Sequence, residues 1–438
     1  MTKGNIALAD NNIIELIKSV LEKSGADGWR ITDTLTEGWE FYFIRHDLDQ
    51  NRAKNVEHIN VKVFKKSEDG AFLGDASDEI APSATENEIK KTVDSLVMKA
   101  GYIKNPFYKL NPPEKSAQPE GADFNAAGIS VDFLNAMNEL PESSDADINS
   151  YEIFASKVTR RILTSEGTDI TEIYPSSMIE VVVNARDEDH EIELYRMYHS
   201  GTCDKEGLKD SLIRTFRYGK DRLKTEKTPP LEKADVIFST DDAVAIYDYF
   251  RDRLNAAMLV RKISDWEIGK SVADAAGDKV TLTARRELEN SSANFAYDEE
   301  GAPIRDLVLL NENVPENYWG TRMYTQYLGM DRSGIVYNYE ISGGTQTEAE
   351  LRTGKYLEIV EFSDFQVDSV TGDIFGEIRL GYYHDGENVR IITGGSVSGS
   401  MAQFVKNMHF SKELVQYNNV KIPAVTRLAD VTITGAEA

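Results

Sequence analysis

The sequence is short of cysteine, of positive charge and of long apolar runs. Cys203 is the one cysteine among 438 residues, which excludes an intramolecular disulfide and a multi-cysteine metal cluster. Such cysteine usage fits a reducing compartment, and we expect a cytoplasmic protein. No stretch approaches the roughly 18 consecutive apolar residues that a membrane-spanning helix needs. Residues 1–12 also lack the apolar core of a secretory signal, so we expect neither export nor a membrane partner.

The deficit of positive charge further limits the classes of partner that the protein can bind. There are 49 Lys and Arg residues against 74 Asp and Glu, a formal charge of −25. A nucleic-acid surface needs clustered Lys and Arg to neutralise phosphates, so we expect no nucleic-acid partner. Anionic membrane surfaces are disfavoured for the same reason. The apolar fraction of 41% is still sufficient for a folded core.

Apolar periodicity predicts an α+β protein of two domains. Residues 1–230 alternate between helical and strand periods, which predicts a mixed α/β domain with helices on an antiparallel sheet. Within it, Thr85 and Glu88 have the spacing of a helix-starting capping box. The segment Thr228-Pro-Pro-Leu231 breaks the pattern, and we place the domain boundary after residue 230. Residues 231–438 carry mostly short alternating runs, which predicts a β-rich domain.

Four segments carry more local expectations. The pattern predicts a helix over Asn12–Lys23, a polar connection between strands over Asp47–Glu57, and a helix from Ser239 to about Val260. Residues 105–123 are rich in proline and acidic residues, and we expect an exposed loop there, of unassigned role.

Chemistry-bearing residues are few and scattered. The six histidines include no pair with the H-E-x-x-H spacing that places two imidazoles on one helical face. Cys203 follows His199 by four residues, but sequence proximity does not make a nucleophile and base, and we expect an inert cysteine. The acidic runs Asp187–Glu191 and Asp298–Gly301 lack the alternating spacing of a calcium loop, so both are expected to be solvated loops. Composition and spacing alone therefore identify no active site.

The order of several segments resembles the TldD/PmbA family, also called the modulator-of-DNA-gyrase family. The segments are Asn60-Val-Lys-Val-Phe64, Tyr297-Asp-Glu-Glu-Gly-Ala-Pro-Ile-Arg305, Thr321 to Gly329, Thr371-Gly-Asp-Ile-Phe-Gly376 and Ile391 to Ser400. The family-motif residues that the resemblance implies are Asp298, Glu299, Glu300, Gly301, Pro303, Arg305, Thr371, Gly372 and Gly376. Their catalytic roles are not assigned.

The resemblance implies a zinc peptidase in TldD-type members, with H-E-x-x-x-H on a helix. That helix should fall within Ala243–Leu259, where this sequence has no histidine. No histidine occurs between His199 and His384 either, so the imidazole ligands that Zn²⁺ prefers are missing from the expected place. The sequence therefore looks like the PmbA/TldE type without the zinc motif. We expect no metal and no cofactor in this chain, with zinc confined to a TldD-like partner.

Three functional hypotheses follow. The leading one is a non-catalytic subunit that joins a TldD-like zinc peptidase and handles peptides or unfolded protein. The second is a stand-alone, homodimeric, metal-dependent hydrolase with a non-standard site built from Asp298, Glu299 and Glu300. It requires His384 or His409 to lie in the same cleft. The third is a binding protein without enzymatic activity.

Overall fold

The structure is a computed structural model that describes residues 11–116, 124–330 and 334–436. Within these residues the chain forms three β-sheets and nine helices, which confirms the predicted α+β class. The part of the predicted loop at 117–123 lies outside the described residues. The domain boundary after residue 230 stays a prediction. In the described residues, no helix combines the length and apolar composition needed to cross a membrane.

The first sheet is six-stranded and antiparallel throughout, in the order β3-β2-β1-β4-β5-β6. Its strands are β1 (Gly28–Ile44), β2 (Asp47–Lys66), β3 (Leu73–Ile80), β4 (Ala146–Thr164), β5 (Asp169–Arg186) and β6 (Glu191–Ser200). The expectation of a polar connection over Asp47–Glu57 was wrong, because this segment is the exposed half of β2. It has almost no buried side chains, so it carries no alternating apolar signal.

Four helices lie on one face of this sheet. They are α1 (Asn11–Lys23), α2 (Glu86–Tyr102), α3 (Ala126–Asn138) and α4 (Lys205–Arg222). Ile31 of β1 packs in a core with α1 and α2, and Phe43 of the same strand packs in a core with α3 and α4. Both residues have odd numbers, so both point to the same face of the strand. The even-numbered side chains of β1 therefore point away from all four helices.

The C-terminal part supplies the other two sheets. Its strands are β7 (Glu226–Lys227), β8 (Glu232–Phe238), β9 (Leu282–Arg285), β10 (Leu307–Asn311), β11 (Val314–Pro315), β12 (Asn338–Ile341), β13 (Tyr356–Val367), β14 (Asp373–His384), β15 (Val389–Thr393), β16 (Ser396–Ser400), β17 (His409–Phe410), β18 (Leu414–Tyr417), β19 (Val420–Pro423) and β20 (Thr426–Thr434). One sheet runs β11-β10-β9-β12-β19-β18 and the other β13-β8-β20-β16-β14-β15-β7.

Short helices pack between and beside these two sheets. They are α5 (Ala243–Arg253), α6 (Ala256–Val260), α7 (Arg322–Tyr327), α8 (Glu348–Leu351) and α9 (Met401–Phe404). The single helix predicted from Ser239 to Val260 is thus two helices. The break falls at Asn255, whose side chain accepts a hydrogen bond from the Ala257 N–H at 2.8 Å and starts α6 as an N-cap. The apolar side of α5, including Phe250, lies in the core shared by both sheets.

The capping box at α2 gives a direct stability test. The Thr85 side chain accepts from the Glu88 N–H, and the Glu88 carboxylate accepts from the Thr85 N–H at 2.8 Å. We expect Thr85→Ala to lower the free energy of unfolding by about 1 kcal/mol, because the helix loses one side-chain cap. Urea unfolding followed by circular dichroism measures this change. The exposed neighbour Ser83 is the control, since Ser83→Ala removes a hydroxyl that caps nothing.

Candidate functional site

The helix α5 carries the charged side chains that occupy the place expected for a metal-binding helix. Arg251 lies between two carboxylates of the same helix. Its guanidinium is 2.7 Å from an oxygen of Asp248 and donates to Asp252 at 2.8 and 3.0 Å. The guanidinium carbon also lies 5.6 Å from the ring centre of Tyr339, a cation–π distance. The single cation of Arg251 therefore engages both carboxylates on one face of α5 and offsets part of their charge.

Neighbouring elements add hydrogen bonds to this network. The Tyr339 hydroxyl donates to Asp248 at 2.8 Å, and the Ser369 hydroxyl donates to Asp252 at 2.9 Å. Burial raises the pKa of Asp248, while Arg251 and the hydrogen bond from Tyr339 oppose that rise. The indole N–H of Trp319 binds the backbone carbonyl of Arg251 at 2.7 Å, which holds this end of α5 in place. The network is fixed from three sides.

This donor set does not fit a zinc ion. A protein zinc site uses imidazole, thiolate and carboxylate ligands, and the α5–α6 segment offers carboxylates alone. Both carboxylates are already engaged by a guanidinium and by hydroxyl donors. Across the described ranges, no group of three or more His, Cys, Asp or Glu side chains is arranged to hold a metal.

Three of the family-motif residues lie around α5 and the strand beside it. The Gly372 carbonyl accepts from the Met401 N–H at 2.7 Å, and its Cα faces the ring of Tyr249 on α5. Thr371 is exposed, and its hydroxyl accepts from the Asp373 N–H at 3.2 Å. Gly376 lies on β14, where an added Cβ would come within 2.8 Å of the Phe362 and Phe365 rings. A side chain at Gly372 or Gly376 would meet aromatic rings, and Thr371 stabilises the turn before β14. These three motif residues therefore have structural roles.

The remaining motif residues form a tight loop. The Asp298 carboxylate accepts from the N–H groups of Glu300 and Ala302, both at 2.9 Å, and its other oxygen has no hydrogen-bond partner. Gly301 has a φ of 78°, a left-handed conformation that favours glycine, and it packs on Thr168 of the N-terminal part. The loop is closed by a bridge between Tyr297 and Pro303.

The prediction that this loop is solvated was wrong for Asp298. Its side chain has 0% exposure, and burial, reinforced by the nearby Glu300 charge, raises its pKa to about 7. Glu300 is half-buried, accepts from the Arg322 N–H at 2.7 Å and lies 4.0 Å from Arg30 of β1. Glu299 and Arg305 are exposed, as expected. The sequence could not reveal the burial, since an acidic run is normally solvated.

The loop is docked on the even-numbered face of the first sheet by a buried ion pair. Arg160 of β4 pairs with Glu172 of β5, and the two are 9% and 4% exposed. The Arg160 guanidinium also donates to the Tyr297 carbonyl at 2.7 Å, and Glu172 accepts from the Ala296 N–H at 2.9 Å. Phe295 lies 5.1 Å from the guanidinium carbon. Sequence reasoning missed this pair, whose only signal is opposite charge at facing strand positions.

The structure does not assemble the non-standard metal site. His384 of β14 stacks on the Tyr356 ring at 4.1 Å, and burial lowers its pKa. His409 of β17 lies 3.5 Å from Asp278. Within the described part of the chain, neither histidine has a hydrogen bond or ion pair to the loop that contains Asp298.

Two further features offer no reactive group. Burial raises the pKa of the Cys203 thiol to about 12, which disfavours the nucleophilic thiolate, and His199 contacts the Met197 sulfur instead of it. A polar groove of about 280 Å³ is lined by Asp235, Arg427 and His409, among others. Its arginine donates to Asp235 at 2.7 Å and to the Leu351 carbonyl at 2.6 Å, so its charge is already used structurally.

Comparisons with known proteins agree with this architecture. Residues 231–435 match the PmbA/TldA metallopeptidase C-terminal domain. Residues 231–435 therefore form a C-terminal domain of the PmbA/TldA metallopeptidase type. The family resemblance of the sequence is thereby confirmed, whereas the absence of a zinc site stays an expectation.

Individual relatives show how similar this chain is in sequence and in fold. A protein named metalloprotease PmbA homolog from Haemophilus influenzae is 25% identical over 202 residues, which span 44% of this chain and only 42% of that relative. The fold of TldE from Thermococcus kodakarensis covers 98% of this chain and 100% of its own, with a TM-score of 0.75 at 14% identity. A protein from Thermotoga maritima named as a modulator of DNA gyrase covers 97% of this chain and 100% of its own, with a TM-score of 0.77 at 12% identity. At these identities the structures establish the TldD/PmbA fold.

The buried carboxyl of Asp298 predicts a pH-dependent stability. A pKa raised from 3.8 to about 7 stabilises the folded state at low pH, and this contribution is lost as the pH rises between about 4 and 7. We expect Asp298→Asn to flatten the fall in unfolding free energy from pH 5 to pH 8, because asparagine stays neutral and keeps an acceptor oxygen. Urea titrations across that pH range measure the slope.

Asp33, whose pKa is also raised to about 7, contributes with the same sign, so part of the slope remains in the variant. Glu299→Gln, at the exposed neighbour, is the charge-matched control and should leave the profile unchanged. An unaltered slope in Asp298→Asn contradicts the assignment.

The α5 network predicts a second stability effect. Arg251→Met leaves Asp248 and Asp252 without their shared cation in a half-buried position. We expect the free energy of unfolding to fall by about 2 kcal/mol, between the values typical of exposed and fully buried pairs. Lys90→Met removes the cation of the exposed helical pair Lys90–Asp94 and should cost at most about 0.5 kcal/mol. Equal losses of unfolding free energy in the two variants would argue against a stabilising network around Arg251 on α5.

Proposed function

We propose that this protein is a PmbA/TldE-like subunit without its own zinc centre, acting in a peptide-processing complex. Its partner in this proposal is a TldD-like subunit that carries H-E-x-x-x-H and therefore the zinc. The substrate class is a peptide or an unfolded protein segment. The complex acts in the cytoplasm, in keeping with the single, half-buried cysteine.

The observation that carries the proposal is the closed network on α5. Where a catalytic subunit needs free metal ligands, this chain has Arg251 paired with both Asp248 and Asp252. The C-terminal domain match and the whole-chain fold similarity to a protein named TldE support the same assignment. A stand-alone metal-dependent hydrolase has less support, because His384 and His409 pair elsewhere.

Reconstitution tests the proposal. The purified chain, an H-E-x-x-x-H protein encoded by the same genome, and their equimolar mixture are each incubated with a library of unstructured peptides. We expect cleavage by the mixture and none by this chain alone, because only the partner supplies a metal-activated water. Mass spectrometry of the products measures cleavage, and size-exclusion chromatography measures complex formation.

The matched control is a partner variant in which both motif histidines are replaced. The complex should still form, since in this proposal the metal is not needed for association, but cleavage should stop. Cleavage by this chain alone that is abolished by a chelator would contradict the proposal. So would a mixture that neither associates nor cleaves.

A further inference from the structure

Among the residues that the structure describes, the loop around Asp298 covers one end of the helix-free face of the first sheet. The loop containing Gly301 covers Ile162 and Ile170, and Phe295 covers Tyr174. Further along the strands, a transverse row of four facing residues crosses four neighbouring strands: Tyr42, Glu152, Glu180 and Met197. Together with the adjacent Glu40 and Tyr195, these residues define the open face. In the described residues, no hydrogen bond or ion pair joins these six side chains to the C-terminal part.

Two carboxylates stand directly opposite each other in this row. Glu152 of β4 faces Glu180 of β5 in the strand register. Like charges at directly opposed positions destabilise an antiparallel pair. Glu152 has no ion pair within the described chain, and the nearest cation acting on it, Arg52, is itself paired with Glu40. Folding alone does not favour this arrangement, so the negative charge is available to an external cation.

Exposed apolar side chains flank these carboxylates. Tyr195 is 50% exposed, Met197 is 43% exposed, and Ile44 at the end of β1 is 59% exposed. Tyrosine and methionine are enriched in protein interfaces, where they supply contact area beside polar groups. The open face thus combines exposed apolar side chains with two facing carboxylates, Glu152 and Glu180, which have no ion pair among the described residues.

We propose that the open face docks the partner subunit through lysine or arginine side chains of that subunit flanked by apolar ones. This inference rests on the proposed function and specifies how its two subunits meet. The cations of the partner would lie over Glu152 and Glu180, and its apolar side chains would cover Met197 and Tyr195. Complementary charge of this kind raises association rates and selects the partner.

Charge also selects against a second copy of this chain as the occupant. A two-fold contact places the same patch on both sides of an interface. The open face would then set Glu152 and Glu180 of one copy against those of the other, in a chain whose net charge is −25. A different chain with basic residues relieves this repulsion. The open face is also continuous with the interface where Gly301 meets the first sheet, so a partner seated there can contact both parts of the chain.

The test measures binding of the full-length chain to the fluorescently labelled H-E-x-x-x-H protein from the same genome. The double variant Glu152→Gln with Glu180→Gln removes the two facing charges. We expect its dissociation constant to rise about tenfold at low salt, about 50 mM, and the difference to shrink at about 500 mM because salt screens the lost attraction. Met197→Glu should weaken binding at both salt concentrations, since it removes apolar contact.

The matched control is Glu188→Gln with Asp189→Asn, which removes two exposed acidic charges at the tip of the β5–β6 hairpin. It should bind like the wild type. The Glu152→Gln, Glu180→Gln variant should be at least as stable as the wild type in urea, because it relieves a repulsion, so weaker binding cannot come from misfolding.

Each remaining outcome counts against a distinct claim. Unchanged binding by the double variant overturns this inference and leaves the proposed function standing. A wild-type chain that binds no such partner overturns the proposed function and this inference with it. A stable homodimer that Met197→Glu disrupts makes a second copy the occupant and also overturns the inference.

Discussion

The buried pair between Arg160 and Glu172 is the interaction on which the assembly of this molecule depends. Two adjacent strands of the first sheet present these side chains on the face without helices, and the pair then binds backbone groups of Ala296 and Tyr297. A buried charge pair is stabilising only when further hydrogen bonds satisfy it, and here the loop of the C-terminal part supplies them. The same contacts bring Asp298 out of water, which raises its pKa. The Arg160–Glu172 pair therefore holds the motif loop on the first sheet, where burial and the Glu300 charge raise the pKa of Asp298.

A second electrostatic arrangement determines what α5 can do. Asp248 and Asp252 would be available oxygen ligands if they stood alone, but Arg251 lies between them and Tyr339 donates to the first. A guanidinium is a fixed cation that cannot activate water, so an arginine engages the two carboxylates where a catalytic subunit would hold a metal. The network preserves the packing of α5 in the shared core of the two C-terminal sheets. This combination of a retained fold and a closed site is what the proposed subunit role explains.

Sequence reasoning succeeded where local chemistry determines structure. The helix predicted at Asn12–Lys23 is α1, and the capping box at Thr85 starts α2, because periodicity and capping act within a few residues. Sequence reasoning failed where contacts between residues distant in the chain determine the structure. Asp298 sits in an acidic run that resembles a solvated loop, yet the strands on which the loop docks, β4 and β5, lie more than a hundred residues earlier in the chain. The network around Arg251 likewise needs Tyr339, which no spacing rule links to α5. The absence of histidine from Ala243–Leu259, by contrast, is visible in the sequence itself.

A calorimetric titration of Zn²⁺ into the purified chain tests whether α5 is closed to metal. Because Arg251 engages the two carboxylates and no imidazole accompanies them, we expect no stoichiometric binding at micromolar zinc and no protection against unfolding by zinc. Stoichiometric binding with anomalous scattering from a zinc ion at Asp248 and Asp252 would show that α5 is open to metal.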